Sequence, residues 1–140
     1  MANYSANTRS NYFSVTDEAA FRRIIASCIG SDDSITVFEQ SDGSGKFGFG
    51  CYGQILGVLI NEDDPDSPDY DAFCYDLQGV LAEDDAIIIT EVGNEKLRYL
   101  TGYCTVITKN EIRGVDVCDT AMALARDMLD NPAFTTQMDY

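Results

Sequence analysis

The chain has 140 residues, with 24 acidic against 9 basic side chains, no histidine and a formal net charge of −15. Hydrophobic residues make up 45 % and aromatics 11 %, which is too apolar for an acidic disordered tail and enough for a core of its own. Charge of this sign repels nucleic acid and anionic membrane and attracts cationic surfaces. The lack of imidazole removes Ser-His-Asp and Cys-His nucleophiles, histidine metal sites and histidine pH switches.

Residues 1–10 read as a flexible arm, polar and with no apolar signal core behind it. Asn11-Tyr12-Phe13-Ser14-Val15 alternates and suits a short strand. Thr16 is the expected cap of a first helix, with Asp17 and Glu18 at its positive dipole end. Phe21, Ile24, Ile25, Cys28 and Ile29 make its apolar stripe, and Gly30 its stop. Ile35 to Glu39 alternates as a strand, Ser41 to Gly45 is turn chemistry, and Lys46 to Tyr52 is a second strand. In it Phe47, Phe49 and Cys51 share one face, and Gly48 and Gly50 the other, where a bare backbone admits a close neighbour. A further strand runs from Ile55 to Ile60.

Residues 61–85 carry ten carboxylates and no basic residue: Glu62, Asp63, Asp64, Asp66, Asp69, Asp71, Asp76, Glu83, Asp84 and Asp85. Ser67 as cap and Pro68 at the first position open a second helix. Its stripe of Tyr70, Phe73, Cys74, Leu77, Val80 and Leu81 leaves Asp69, Asp71 and Asp76 facing water. Three strands follow, Ala86–Val92, Leu97–Ile107 and Ile112–Val117, as an antiparallel meander. Asp119 caps a last helix with Ala121, Met122, Leu124, Ala125, Met128 and Leu129 as its stripe, ended by Asn131-Pro132 before a tail of about residues 132–140. The order β-α-β-β-β-α-β-β-β-α predicts an α+β fold, a mostly antiparallel sheet with about three helices, as one domain spanning 1–140.

Several motifs fall short of a chemistry. Gly48-Phe49-Gly50-Cys51-Tyr52-Gly53 matches GxGxxG, but a strand follows it rather than the helix that receives a pyrophosphate, so close backbone packing is the better reading. The loop from Asp63 to Asp71 offers oxygen ligands for calcium. Counted from Asp64 or from Asp66, however, neither the glycine at position six nor the glutamate at twelve falls into place. Glu91 and Glu95 flank a turn near Lys96 and Arg98. Asn94 stands where an acid–acid–x–Lys nuclease needs an acid, so they read as surface charges of a hairpin. Cys28, Cys51, Cys74, Cys104 and Cys118 form no CxxC pair and read as reduced, mostly buried thiols. Arg22 and Arg23 lie off the first helix's stripe, exposed or paired with the acidic stretch. Tyr4, Tyr12, Tyr99, Tyr103 and Tyr140 are candidate interface anchors or half-buried strand residues. No apolar run is long enough to span a bilayer, and a cytoplasmic protein is expected.

Thr8-Arg9-Ser10-Asn11-Tyr12-Phe13-Ser14-Val15-Thr16-Asp17-Glu18, Phe49-Gly50-Cys51-Tyr52-Gly53 and Glu91-Val92-Gly93-Asn94-Glu95-Lys96-Leu97-Arg98-Tyr99 are similar to a group of small uncharacterised proteins. That group is carried by plasmids, phages and conjugative elements of gut Firmicutes. The resemblance spans most of the chain and transfers no activity and no functional residue. It implies a context: mobile elements carry inhibitors of host defence, and several of the anti-restriction and anti-CRISPR type are small, acidic and shaped to displace DNA.

The expectation is a non-enzymatic, acidic protein-binding domain whose ten carboxylates of residues 61–85 meet a basic protein surface, such as the nucleic-acid channel of a defence nuclease. It needs no cofactor, no metal, no direct nucleic-acid contact and no membrane. Two alternatives stay open: a generic interaction or immunity-type domain whose acidity serves solubility, and a small metal-binding protein or enzyme working through carboxylates.

Overall fold

The computed structural model describes residues 4–61, 63, 64 and 66–136. Twelve elements follow one another: β1 (Ser5–Ser10), α1 (Glu18–Ala26), β2 (Cys28–Gly30), β3 (Thr36–Glu39), β4 (Phe47–Tyr52), β5 (Ile55–Leu59), β6 (Pro68–Asp69), α2 (Tyr70–Val80), β7 (Ile87–Glu95), β8 (Arg98–Ile107), β9 (Ile112–Asp116) and α3 (Val117–Leu129). The fold is α+β, with the three helices and the strand runs between them in the expected order and the short β2 and β6 added. Six strands form one antiparallel sheet in the order β3-β4-β1-β7-β8-β9, and β2-β5-β6 form a second, smaller one. No helix among the described residues is long and apolar enough to cross a membrane.

The expected flexible arm is a correction. Ser5–Ser10 is a strand in the middle of the large sheet, paired along its whole length with β7 and over three positions with β4. Its sequence reads as polar because its inward residues are small and hydrogen-bonded rather than apolar. Ala6, Thr8 and Ser10 alternate inward. The Thr8 hydroxyl donates to the Gly53 carbonyl at 2.8 Å, and Ser10 Oγ accepts from the Phe49 amide at 2.9 Å. The backbone bonds that β1 makes on both edges hold it in place although its inward side chains bury little apolar area. The expected strand at residues 11–15 reduces to two isolated bridges, Phe13 with Phe47 and Val15 with Leu81.

Aspartates cap all three helices, at positions other than those expected. Asp17, Asp69 and Asp116 each accept from the amide three residues on, those of Ala20, Ala72 and Asp119. Thr16 instead bonds Val80, and Pro68 belongs to β6. α1 ends at Ala26, not at Gly30. Cys28–Gly30 turns into β2 and pairs with β5. A side chain on Gly30 would meet the Asp33 carbonyl, so this glycine serves close packing rather than helix termination. At the far end of α2, the Lys109 ammonium donates to the carbonyls of Gln78, Gly79 and Leu81 at 3.2, 3.2 and 2.9 Å. It meets the orphan acceptors and the negative dipole end together.

One face of the large sheet carries the core. Phe13, Phe21, Phe49 and Phe73 are fully buried, and Phe47 nearly so. Their rings pack in a chain: 13–21 at 5.6 Å, 21–47 at 5.7 Å, 13–49 at 6.0 Å and 49–73 at 5.7 Å. This chain ties α1 and α2 to β4, with Ile25, Leu77, Leu81, Ile87, Ile89 and Ile107 around it. The opposite face shows the glycines Gly48 and Gly50. Phe38 lies across from Gly48 in the register, and the Arg9 guanidinium stacks 4.6 Å from the Phe38 ring. The expected apolar stripe of α3 does not reach the core. No α3 residue is fully buried, and Leu124, Met128 and Leu129 are exposed where the helix leans on β8 and β9.

Two outcomes check this account. A chain lacking residues 1–10 is expected to lose cooperative thermal unfolding, because the sheet would be split at its centre; an unchanged melt would return those residues to an arm. Lys109→Met is expected to cost about 1–3 kcal/mol in urea unfolding, the range for hydrogen bonds to a charged group.

Candidate functional site

The ten carboxylates of residues 61–85 divide into three kinds. Asp69 and Asp85 are structural and half-buried. Asp69 caps α2, and Asp85 accepts from the Ser14 amide at 2.8 Å and the Ala86 amide at 2.9 Å, with Lys46 Nζ at 4.0 Å. Glu62 lies outside the described residues. The remaining seven, Asp63, Asp64, Asp66, Asp71, Asp76, Glu83 and Asp84, are exposed, and none forms an ion pair with a described residue.

Local chemistry places them there. The loop before α2 folds on its own side chains: Asn61 Oδ1 accepts from the Asp63 amide at 3.0 Å and Asp64 Oδ1 from the Asp66 amide at 2.9 Å, while Ser67 Oγ donates to the Asp64 carbonyl at 2.8 Å. α2 turns Phe73, Cys74 and Leu77 inward, which forces Asp71, Tyr75 and Asp76 outward. Eleven helical residues span about 16 Å, with exposed acids in the loop before α2, on either side of its outward face at Asp71 and Asp76, and after its end at Glu83 and Asp84; we term this stretch the acidic ridge. Two large apolar side chains stand among them, Ile60 and Tyr75, 69 % and 65 % exposed. Several basic residues are engaged elsewhere. Arg22 pairs with Glu18 at 2.9 Å and Glu39 at 2.7 Å, not with the ridge, and Arg113 pairs with Glu111. Arg23 shares a shallow cleft with Asp76.

Glu91 and Glu95 are not the surface charges that their place at a hairpin suggests. β7 turns Glu91 to the side of Ile87 and Ile89, and a register shift between Gly93 and Glu95 separates the two acids. Glu95 is buried, with Oε1 3.0 Å from Arg98, while Oε2 has no hydrogen-bond partner. Glu91 is half-buried, and its Oε2 accepts from the Tyr4 hydroxyl at 2.9 Å and the Gln54 amide at 3.0 Å. It lines a cavity of about 200 Å³ with Thr8, Ile55, Tyr70, Ile89 and Tyr103. Burial raises the Tyr70 hydroxyl, which shares a 2.9 Å hydrogen bond with Thr105. The period-two alternation of β7 was the available signal for Glu91, since it puts residue 91 on the face of Ile87 and Ile89. Tyr4 thus bonds Glu91 and Tyr103, itself partly exposed, lines the cavity, whereas Tyr12 stacks under Arg9, Tyr99 is exposed, and Tyr140 lies outside the described residues.

Among the described residues no three histidine, cysteine, aspartate or glutamate side chains gather as a metal site. Gly48, Gly50 and Gly53 sit in and just after β4, and β5 follows them. A side chain on Gly50 would meet the Thr8 carbonyl and one on Gly53 the Ser31 hydroxyl, so the glycines serve close packing. The five cysteines are unbridged. Burial pushes the Cys28 thiol up to about 12 and Cys74 up to about 11. No protein-family model matches the chain. No curated protein and no solved structure is significantly similar to it.

The thiols give a pH dependence of defined sign. Their folded values are raised, so the stabilisation is complete below the unfolded thiol value, near 8.5, and is lost as pH climbs toward 11 and 12. Unfolding free energy is expected to fall between about pH 9 and 12, and to fall less in Cys28→Ala. In the native protein at pH 8 a thiol reagent is expected to modify exposed Cys118 first and to leave Cys28 and Cys74 untouched until unfolding.

Proposed function

We propose that this chain is a non-enzymatic protein-binding domain that offers the ridge from Asp63 to Asp84 to a basic protein surface, one that otherwise holds nucleic acid. The observation that carries it is the set of seven exposed carboxylates without a cation partner among the described residues. Placing like charges along one helix and its flanking turns costs stability through self-repulsion, and a cationic partner removes that cost. An array of this kind suits the lysines and arginines of a nucleic-acid channel. Tyr75 and Ile60 favour a protein partner further, because an interface draws its energy from a few anchors ringed by polar groups. The mobile-element resemblance fits an anti-restriction or anti-CRISPR type of inhibitor, acting as a DNA mimic. The unbridged thiols fit a reducing cytoplasm.

The test is affinity capture from a host with active restriction and CRISPR systems, followed by competition with duplex DNA at rising salt. The joint reversal of Asp63, Asp64, Asp66 and Asp71 to lysine is expected to weaken the captured complex by roughly fourfold or more, at ~0.2–1 kcal/mol for each exposed pair. Tyr75→Ala is expected to weaken it by a similar factor without loss of folding, since the side chain is exposed. A tight complex indifferent to charge reversal, to DNA and to salt would remove the electrostatic mechanism and leave acidity with a solubilising role.

A further inference from the structure

We infer that the cavity around Glu91 is a binding site for a primary ammonium group, from a small free amine or from a lysine side chain. The inference is independent of the acidic ridge, since Glu91 lies on the sheet and outside it.

The cavity holds one carboxylate among hydroxyls and apolar walls. Tyr4 and Gln54 fix Glu91 through Oε2, and among the described residues no donor reaches Oε1. A carboxylate held by two donors and left with one open oxygen is preorganised for a third, charged donor. Tyr70, whose hydroxyl is in a 2.9 Å hydrogen bond with Thr105, lines the same cavity and brings a second polar group to it. Ile55 and Ile89 supply the apolar wall that an alkyl stem needs, and Tyr103 adds an aromatic face.

Charge and size select the ligand. Glu91 is the one charged side chain of the lining, so the cavity disfavours anions. A guanidinium pairs best with both oxygens of a carboxylate, and here Oε2 is already taken. An ammonium is a compact point charge satisfied by one oxygen and nearby hydroxyls. A volume of about 200 Å³ is room for roughly six groups the size of water at ~30 Å³ each, which suits a butylammonium head and stem. A divalent cation takes about six or more oxygen ligands, and the cavity lining offers one carboxylate and three hydroxyls.

The experiment is an NMR titration of the full chain with n-butylammonium chloride against sodium chloride at equal ionic strength, read at the methyls of Thr8, Ile55 and Ile89. Saturable shifts at those methyls are expected. Tetramethylammonium has the same charge and no N–H donor, and is expected to bind the wild-type protein about tenfold more weakly or worse. Glu91→Gln is expected to abolish the shifts. The lysine source is supported if N-acetyl-lysine amide binds as butylammonium does and the arginine analogue does not; the free-amine source is supported if butylammonium alone binds. Shifts that do not saturate, equal binding of tetramethylammonium, or shifts confined to residues 63–84 overturn the site. So does loss of binding on neutralising Asp63, Asp64, Asp66 and Asp71, an outcome that leaves the ridge reading standing.

Discussion

The phenylalanine chain of Phe13, Phe21, Phe47, Phe49 and Phe73 sets the orientation of everything else in the molecule. It draws α1 and α2 onto one face of the large sheet, and each ring removes apolar area from water at about 25 cal/mol per Å². Once Phe73, Cys74 and Leu77 are committed to that face, the helical period leaves no choice for Asp71, Tyr75 and Asp76. They point to water because their neighbours point to the core. The exposure of these acids is thus coupled to packing: the burial of Phe73, Cys74 and Leu77 leaves Asp71 and Asp76 in water.

Electrostatics at the two ends of α2 follow from the same commitment. Asp69 supplies an acceptor to the first turn and Lys109 three donors to the last carbonyls, so the helix is closed at both ends by side chains of the complementary sign. Lys109 comes from the turn between β8 and β9, which links the meander to the helix that bears the ridge. Its charge is spent on backbone carbonyls rather than on Glu83 or Asp84, and the ridge keeps its sign up to the end of the helix.

The inner site has a different origin. β1 occupies the sheet's centre with Ala6, Thr8 and Ser10 inward, and these small residues leave space that larger apolar ones would fill. That space, between β1, β7 and the start of α2, is where Glu91 is held by Tyr4 and Gln54. A single carboxylate on the core side of a sheet demands partners, and it has drawn them from β4–β5 and from the residue before β1.

The helices, the β7–β9 meander, the α+β class and the outward face of α2 were legible in the sequence, because period and turn chemistry are local properties of adjacent residues. So was the packing role of Gly48 and Gly50, since a missing Cβ is visible in the letters themselves. The place of Ser5–Ser10 was not, because a polar segment becomes a central strand only when two partners, 43 and 79 residues away at Thr8↔Cys51 and Ser10↔Ile89 by way of β4 and β7, arrive to pair with it. Nor was the depth of Glu91 and Glu95, whose burial is decided by what covers that face of the sheet. The exposed stripe of α3 makes the same point in reverse: the letters specify an amphipathic helix, while the packing of β8 and β9 decides whether it meets a core. Composition and local order determined the class of this protein and its charge. Only long-range pairing decided which carboxylates stand in water and which are taken into the fold.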